Sequence, residues 1–186
     1  MNWKNTTIRY GSVTIGMHWL MLALFVAVYA SIQLREFFPK GSDPREALKV
    51  WHFMFGMLVF ALVWPRIAAR LLGAAPDIEP APLAWELLSA KLMHLALYAF
   101  MIAMPLIGWL LLSASGKPIP FFGLELPALI GKSKETAGRL KELHEALGTA
   151  GYWLIGLHAA AAFYHHYVRR DNTLTRMLPE QHHTNT

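Results

Sequence analysis

The sequence predicts an all-α integral membrane protein, a bundle of four spanning helices, and three observations carry that prediction. Hydrophobic residues make up 55% of the 186 and charged ones only 16%, a balance too apolar for an ordinary soluble domain. Four runs, 14–34, 50–65, 92–112 and 146–164, lack any Asp, Glu, Lys or Arg. Each approaches the ~20 residues that cross a hydrocarbon core, and the flanks of the shortest can extend it. Finally, His18, His52, His94, His144, His158 and His165 lie in or beside these runs, where polar groups are expensive and point to function.

One domain is expected over 1–186, with spans at about 12–34, 47–70, 90–113 and 142–168. The first span holds His18 and Gln33. It is long enough to cross and lacks a small-residue cleavage pattern, so it reads as a retained helix and not a signal peptide. REFFPKGSDPREALK then breaks the chain with Pro39, Gly41 and Pro44. The second span carries His52 in its first turns, and Pro65 is placed to kink or end it.

GAAPDIEPAP reads as a surface loop, after which the third span begins near Trp85 or Lys91 and passes His94, Pro105 and Gly108. Pro105 should bend it, its freed carbonyl being satisfied by neighbours. The connection 113–142 is the longest, 30 residues with three prolines, enough to fold over one mouth of the bundle. RRDNTLTRMLPEQHHTNT is a basic, polar tail in which His182 and His183 read as disordered.

Composition also excludes chemistries. No cysteine means no disulfide, no thiolate-held iron-sulfur cluster and no covalently attached c-type haem. No GxGxxG, Walker, HExxH or GxSxG motif is present. The net charge of +5 resides in the connections between spans, which suits interfacial anchoring to a lipid bilayer and not nucleic acid.

The fourth span organises the rest. His144, Gly151, His158 and His165 recur every seven residues, and a helix drifts only ~20° over that interval, so they share a face. His144 and His158 are separated by about 21 Å of rise, roughly two-thirds of a bilayer core. Gly151, midway, would let flat rings approach the backbone.

Depth pairs these histidines with others. In an antiparallel bundle His18 lies roughly 13 Å in from Arg9 and His158 roughly 16 Å in from Arg169, counted from the same face. At the opposite face His52 and His144 lie about 4 to 5 Å in from Lys49 and Lys141. Two opposed imidazoles at one level are what six-coordinate haem iron needs, so two bis-histidine sites for two haem b groups are expected between the helices. A lone histidine in a span often does no more than bond a neighbouring helix, but four matched by depth are poorly explained that way. His94 and His165 read as shallower, at the His18 face, and suit a pocket for a quinone headgroup; a structural or haem-propionate role is the other reading. His166 reads as interfacial, Met101 and Met104 as packing.

IGMHWLMLALFVAVYA, FFPK, LHEALGTAGYWLIGLHAAAAFYHHY and DNTLTRMLP together resemble the bacterial di-haem cytochrome b561 family over almost the whole chain. The resemblance implies a four-helix bundle of the bacterial inner membrane with both termini cytoplasmic. It also implies axial haem roles for His18, His52, His144 and His158. For some members it implies oxidation of superoxide at the periplasmic side, with electrons passing to ubiquinone.

Charge hardly orients the chain, with eight Lys and Arg on the face of the termini (Lys4, Arg9, Arg66, Arg70, Lys91, Arg169, Arg170, Arg176) and nine on the other. Those nine are Arg35, Lys40, Arg45, Lys49, Lys117, Lys132, Lys134, Arg139 and Lys141. They fit either contact with lipid headgroups or concentration of an anion such as superoxide, with Lys117, Lys132 and Lys134 the candidates for steering. The competing functions are a haem b module passing electrons between quinone and a periplasmic or membrane redox partner, and a haem-free proton or metal transporter. The lack of cysteine and the scarcity of intramembrane carboxylates weigh against the transporter.

Overall fold

The computed structural model describes residues 3–179, so His182 and His183 lie outside the described residues. Four long helices dominate these residues: α1 (Ser12–Leu34), α2 (Asp43–Leu72), α3 (Ala84–Ser115) and α4 (Lys134–Tyr164). All four are long and apolar enough to cross a membrane. Antiparallel neighbours pack as α1 on α2, α2 on α3 and α3 on α4.

The core lies on the α1, α2 and α3 side, where Met21, Leu24, Val59, Val63 and Met101 bury against one another. Met101 packs in this core, as expected. By contrast Gly151 is the buried residue of α4, which stands off from α1 and α2 and faces them with histidines. What joins α4 to α1 is polar: Tyr29 Oη donates to the Gly148 carbonyl at 2.8 Å, and Gln33 Nε2 donates to Tyr152 Oη at 2.8 Å. A Cβ on Gly151 would collide with the Tyr29 hydroxyl and the Phe100 ring. The flat rings that approach this backbone belong to side chains, and they fill the midplane between the upper and lower histidines.

Both prolines remain inside their helices. Pro65 neither ends α2, which continues to Leu72, nor does Pro105 end α3. Helices start earlier than the uncharged runs. Pro44 opens α2 in the first turn, where its missing N–H costs nothing. In α3, Glu86 reaches back to accept the Leu83 N–H at 2.8 Å. For α4, Ser133 Oγ accepts the Thr136 N–H at 3.3 Å. Because α4 begins at Lys134, the cap between α3 and α4 is shorter than the uncharged runs suggest. It contains a two-strand hairpin, β1 (Pro120–Phe121) and β2 (Leu124–Glu125), turned by Phe122 and Gly123 at φ 47° and 86°.

The opposite end is closed by the terminal segments. Asn5 Oδ1 accepts the Gly11 N–H at 2.9 Å, Trp19 Nε1 donates to the Met177 carbonyl at 2.8 Å, and Arg9 donates to Leu178 at 2.6 Å. Arg176 donates to the Pro76 carbonyl and Asn172 Oδ1 accepts the Glu79 N–H at 3.0 Å, so the described part of the tail is folded onto the α2–α3 loop.

Candidate functional site

Four histidines meet as two pairs at different levels. His52 of α2 and His144 of α4 have ring centroids 6.2 Å apart at 79°. His18 of α1 and His158 of α4 repeat the spacing, 6.2 Å at 65°. A ligating imidazole nitrogen stands ~2.0 Å from a transition metal, with its ring centre ~1.1 Å further out. Two imidazoles on opposite sides of one iron thus have centroids about 6.2 Å apart, and both pairs fit.

Around His52 and His144 the bundle encloses a cavity of about 530 Å³, within the range of small-molecule and cofactor pockets. Two glycines shape it. Nothing lies within 4 Å of a Cβ built on Gly56, and a Cβ on Gly108 would be 3.4 Å from His144 Cε1. His52 is held in the tautomer that binds metal: Nδ1–H donates to the Val28 carbonyl at 3.0 Å, which leaves the Nε2 lone pair free. His144 Nδ1 is buried without a partner among the described residues.

The mouth of this cavity is basic. Arg35, Lys49, Lys117 and Lys141 line it beside Glu36 and Glu145. Most of these cations are paired: Arg35 with Glu36 at 2.9 Å, Lys49 with Glu46 at 2.5 Å and Lys141 with Glu145 at 2.9 Å. Arg45 is not available to a solute at all, being buried and bonded to the Arg35 and Phe38 carbonyls and the Glu36 carboxylate. Of the three candidate steering lysines, Lys117 lines the cavity and has no ion-pair partner among the described residues. Lys132 instead folds its stem over Gly116, and Lys134 opens α4.

At the other pair the neighbours differ. Arg66 Nη2 lies 3.1 Å from His18 Nδ1, and the His94 ring centre is 5.6 Å from that of His158. His94 therefore lies within ring-contact distance of His158, nearer its level than the flanking charges suggest, which corrects the depth reading. Because α3 starts at Ala84, Lys91 is two turns inside the helix and does not mark the membrane edge; a lysine reaches the interface along its own stem.

His165 belongs to another structure again. It opens a π-helical turn, His165–Arg169, and its Nδ1 is 2.6 Å from Asp171 Oδ2, whose side chain is 1% exposed. Burial alone would raise the Asp171 carboxyl, but hydrogen bonds from His165 and Thr173 overcome it and hold the group below its usual value. His94 and His165 make no ring contact with each other among the described residues. Met104, expected as packing, lines the His52 and His144 cavity, and Met101 lines it too from the edge of the core.

Arg66 and Asp171 are functional candidates that the sequence does not single out. The only signal for Arg66 is its place beside Pro65 at the end of an uncharged run, and for Asp171 the spacing of six from His165 across a helix end.

A membrane bundle whose facing helices present opposed imidazoles at an iron-ligating spacing defines a class: haem-binding electron-transfer proteins of the membrane. Within that class the chain belongs to the prokaryotic cytochrome b561 family, whose model matches residues 9–180. It is accordingly an integral membrane oxidoreductase that binds haem b. Among its relatives, cytochrome b561 homolog 1 of Escherichia coli (strain K12) is 38% identical over 174 residues, 93% of this chain and 98% of that protein. The probable superoxide oxidase CybB of Yersinia pestis is 38% identical over 173 residues, 93% and 97% of the two chains. Cytochrome b561 homolog 2 of Escherichia coli (strain K12) is 30% identical over 186 residues, 96% and 95% of the two chains.

Proposed function

We propose that this protein oxidises superoxide to dioxygen at the periplasmic face and delivers the electrons to ubiquinone, using two b haems held by His52 with His144 and by His18 with His158. The single observation that carries the reading is the repeated 6.2 Å histidine spacing at two levels. The relative named as a probable superoxide oxidase supports the choice of donor. The reading places the protein in the bacterial inner membrane with both termini cytoplasmic and the His52 and His144 cavity toward the periplasm. The whole chain then acts as one domain.

Haem bound at such pairs supplies reversible one-electron iron chemistry. The chain's own contributions follow from its side chains. Lys117 and its basic neighbours raise the local concentration of a small anion at the cavity mouth, while their carboxylate partners limit the effect to short range. The imidazoles orient and hold the cofactor, and the tautomer of His52 is fixed by Val28.

Two superoxide anions give up one electron each, and with two protons from the cytoplasmic side one ubiquinone becomes ubiquinol. For those protons His165 is the relay candidate, because its ring nitrogen is hydrogen-bonded to the Asp171 carboxylate at 2.6 Å at the end of α4. His94, beside His158, stays a candidate for contact with the quinone carbonyl. The test is ubiquinone reduction by the purified protein in the presence of a superoxide source: two superoxide consumed per ubiquinol formed supports the reading, and quinone that stays oxidised overturns it.

The hairpin cap favours one other reading. Phe122 and Leu124 are 50% and 66% exposed beside the basic mouth, a surface suited to a periplasmic redox partner. Electron delivery from such a partner, with superoxide inert, would establish the electron-transfer module instead.

A further inference from the structure

Arg66 follows Pro65 within α2 and points its guanidinium into the bundle at His18. Nη2 lies 3.1 Å from His18 Nδ1, the guanidinium carbon is 6.0 Å from the centre of the Tyr98 ring, and Nε is buried with no acceptor. Among the described residues no carboxylate forms an ion pair with it. Arginine keeps its charge inside proteins, and an intramembrane cation needs an anion or several good acceptors. A neutral imidazole nitrogen and the hydroxyl and ring of Tyr98 are weak compensation. Arg45, the other inward arginine of α2, shows what full compensation looks like: two backbone carbonyls and both oxygens of Glu36.

The bond to His18 also conflicts with the role assigned to that residue. Guanidinium only donates, so His18 Nδ1 has to accept with its lone pair, which puts the ring proton on Nε2. A histidine that ligates metal through Nε2 carries its proton on Nδ1 instead. His52 already has that arrangement. Ligation by His18 therefore ends that bond and leaves a buried guanidinium with Tyr98 as its neighbour and Nε still without an acceptor.

We propose that Arg66 is the carboxylate clamp for the cofactor between His18 and His158: on ligation its planar fork donates to a haem propionate, beside the face of Tyr98. This rests on the His18 and His158 ligand reading. Bidentate donation to a carboxylate is the strongest pairing a guanidinium makes, and it satisfies Nε together with an Nη. Arg66 thus acts as an anchor and charge partner, and takes no part in electron transfer itself.

The test compares the purified haem-bound protein with Arg66→Gln and Arg66→Lys, reading haem per chain, both midpoint potentials and the propionate bending band in resonance Raman. Expected for Arg66→Gln is either loss of one haem of two, or retention of both with the propionate band of one shifted and one midpoint lowered. Arg66→Lys should restore the haem content and recover part of the shift. Both variants keeping two haems with unmoved propionate bands overturn the clamp while leaving the ligand reading intact. Unmoved bands with a raised KM for ubiquinone would assign Arg66 to the quinone and equally overturn the clamp. If His18→Ala retains two haems with unaltered spectra, the ligand reading beneath the proposal fails first.

Discussion

At His52 and His144 the bundle is open: a cavity of about 530 Å³ reaches a mouth lined by Arg35, Lys49, Lys117 and Lys141. At His18 and His158 the neighbours are a cation and a third imidazole: Arg66 lies against one ring and the His94 ring centre is 5.6 Å from the other. The spacing within each pair is the same, 6.2 Å, so the difference resides in what surrounds it. In the proposed function, axial geometry sets what the pairs hold, whereas access and nearby charge set what each exchanges electrons with. Between the levels the stacked Phe25 and Phe100 rings and the Tyr29 and Tyr152 pair line the cavity with aromatic surface.

Removing a ligand should give the largest effect. His144→Ala and His158→Ala are each expected to lose one haem per chain and at least about 100-fold of superoxide-driven ubiquinone reduction, consistent with a loss of ~3 kcal/mol or more from a shared route. Spectra should show the remaining haem to be different in the two variants. Filling the open side breaks the comparison more selectively. Gly56→Phe puts a ring into the cavity and should leave a chain with one haem, still ligated by His18 and His158, measured by haem stoichiometry.

Gly151→Ala should affect both levels equally. Its Cβ meets Tyr29 and Phe100, and overpacking of this kind costs about 1–3 kcal/mol, to be read as a lowered melting temperature with both haems still bound. Lys117→Gln should reduce the superoxide rate about threefold at low ionic strength and flatten its salt dependence, whereas Lys132→Gln and Lys134→Gln should each do less. Equal effects of the three would mean that the whole face steers, and not the mouth of the cavity.

A further effect concerns the terminal face and neither histidine pair. Asp171 is held below its usual carboxyl value in the folded protein, so its contribution is present above about pH 4 and drains away as pH falls through the folded value. Asp171→Asn should be less stable by about 1–3 kcal/mol at neutral pH and should lack this acid-side loss. Melting curves in detergent between about pH 7 and pH 3 measure it.

The pairing of His18 with His158 and of His52 with His144 is legible in the sequence because helical rise is constant and the flanking charges of α1, α2 and α4 give matching depths. His94 is misplaced by the same arithmetic, since Lys91 lies inside α3 and its long stem separates the charge from the backbone level. The outer cations look free when counted, yet the i,i+3 and i,i+4 partners Glu46, Glu135 and Glu145 are visible at helical spacing. Arg45 bonding to Arg35 and Phe38 is not visible, because it depends on how residues 35–42 turn. Arg66 beside His18 depends on the rotation of α2 against α1, and uncharged runs say nothing of rotation. Gly151 illustrates a half-legible case: the need for a close approach is readable, but not that side-chain rings of α1 and α3 make it.

The central claim is that two bis-histidine sites share one electron route that begins at the open cavity. A reduced-minus-oxidised absorbance spectrum of the purified protein, with haem stoichiometry, followed by superoxide in the same cuvette, tests it most directly. Two low-spin b haems per chain, both reduced rapidly by superoxide and reoxidised by added ubiquinone, are predicted. Fewer than two haems, or two that superoxide leaves oxidised, would contradict it.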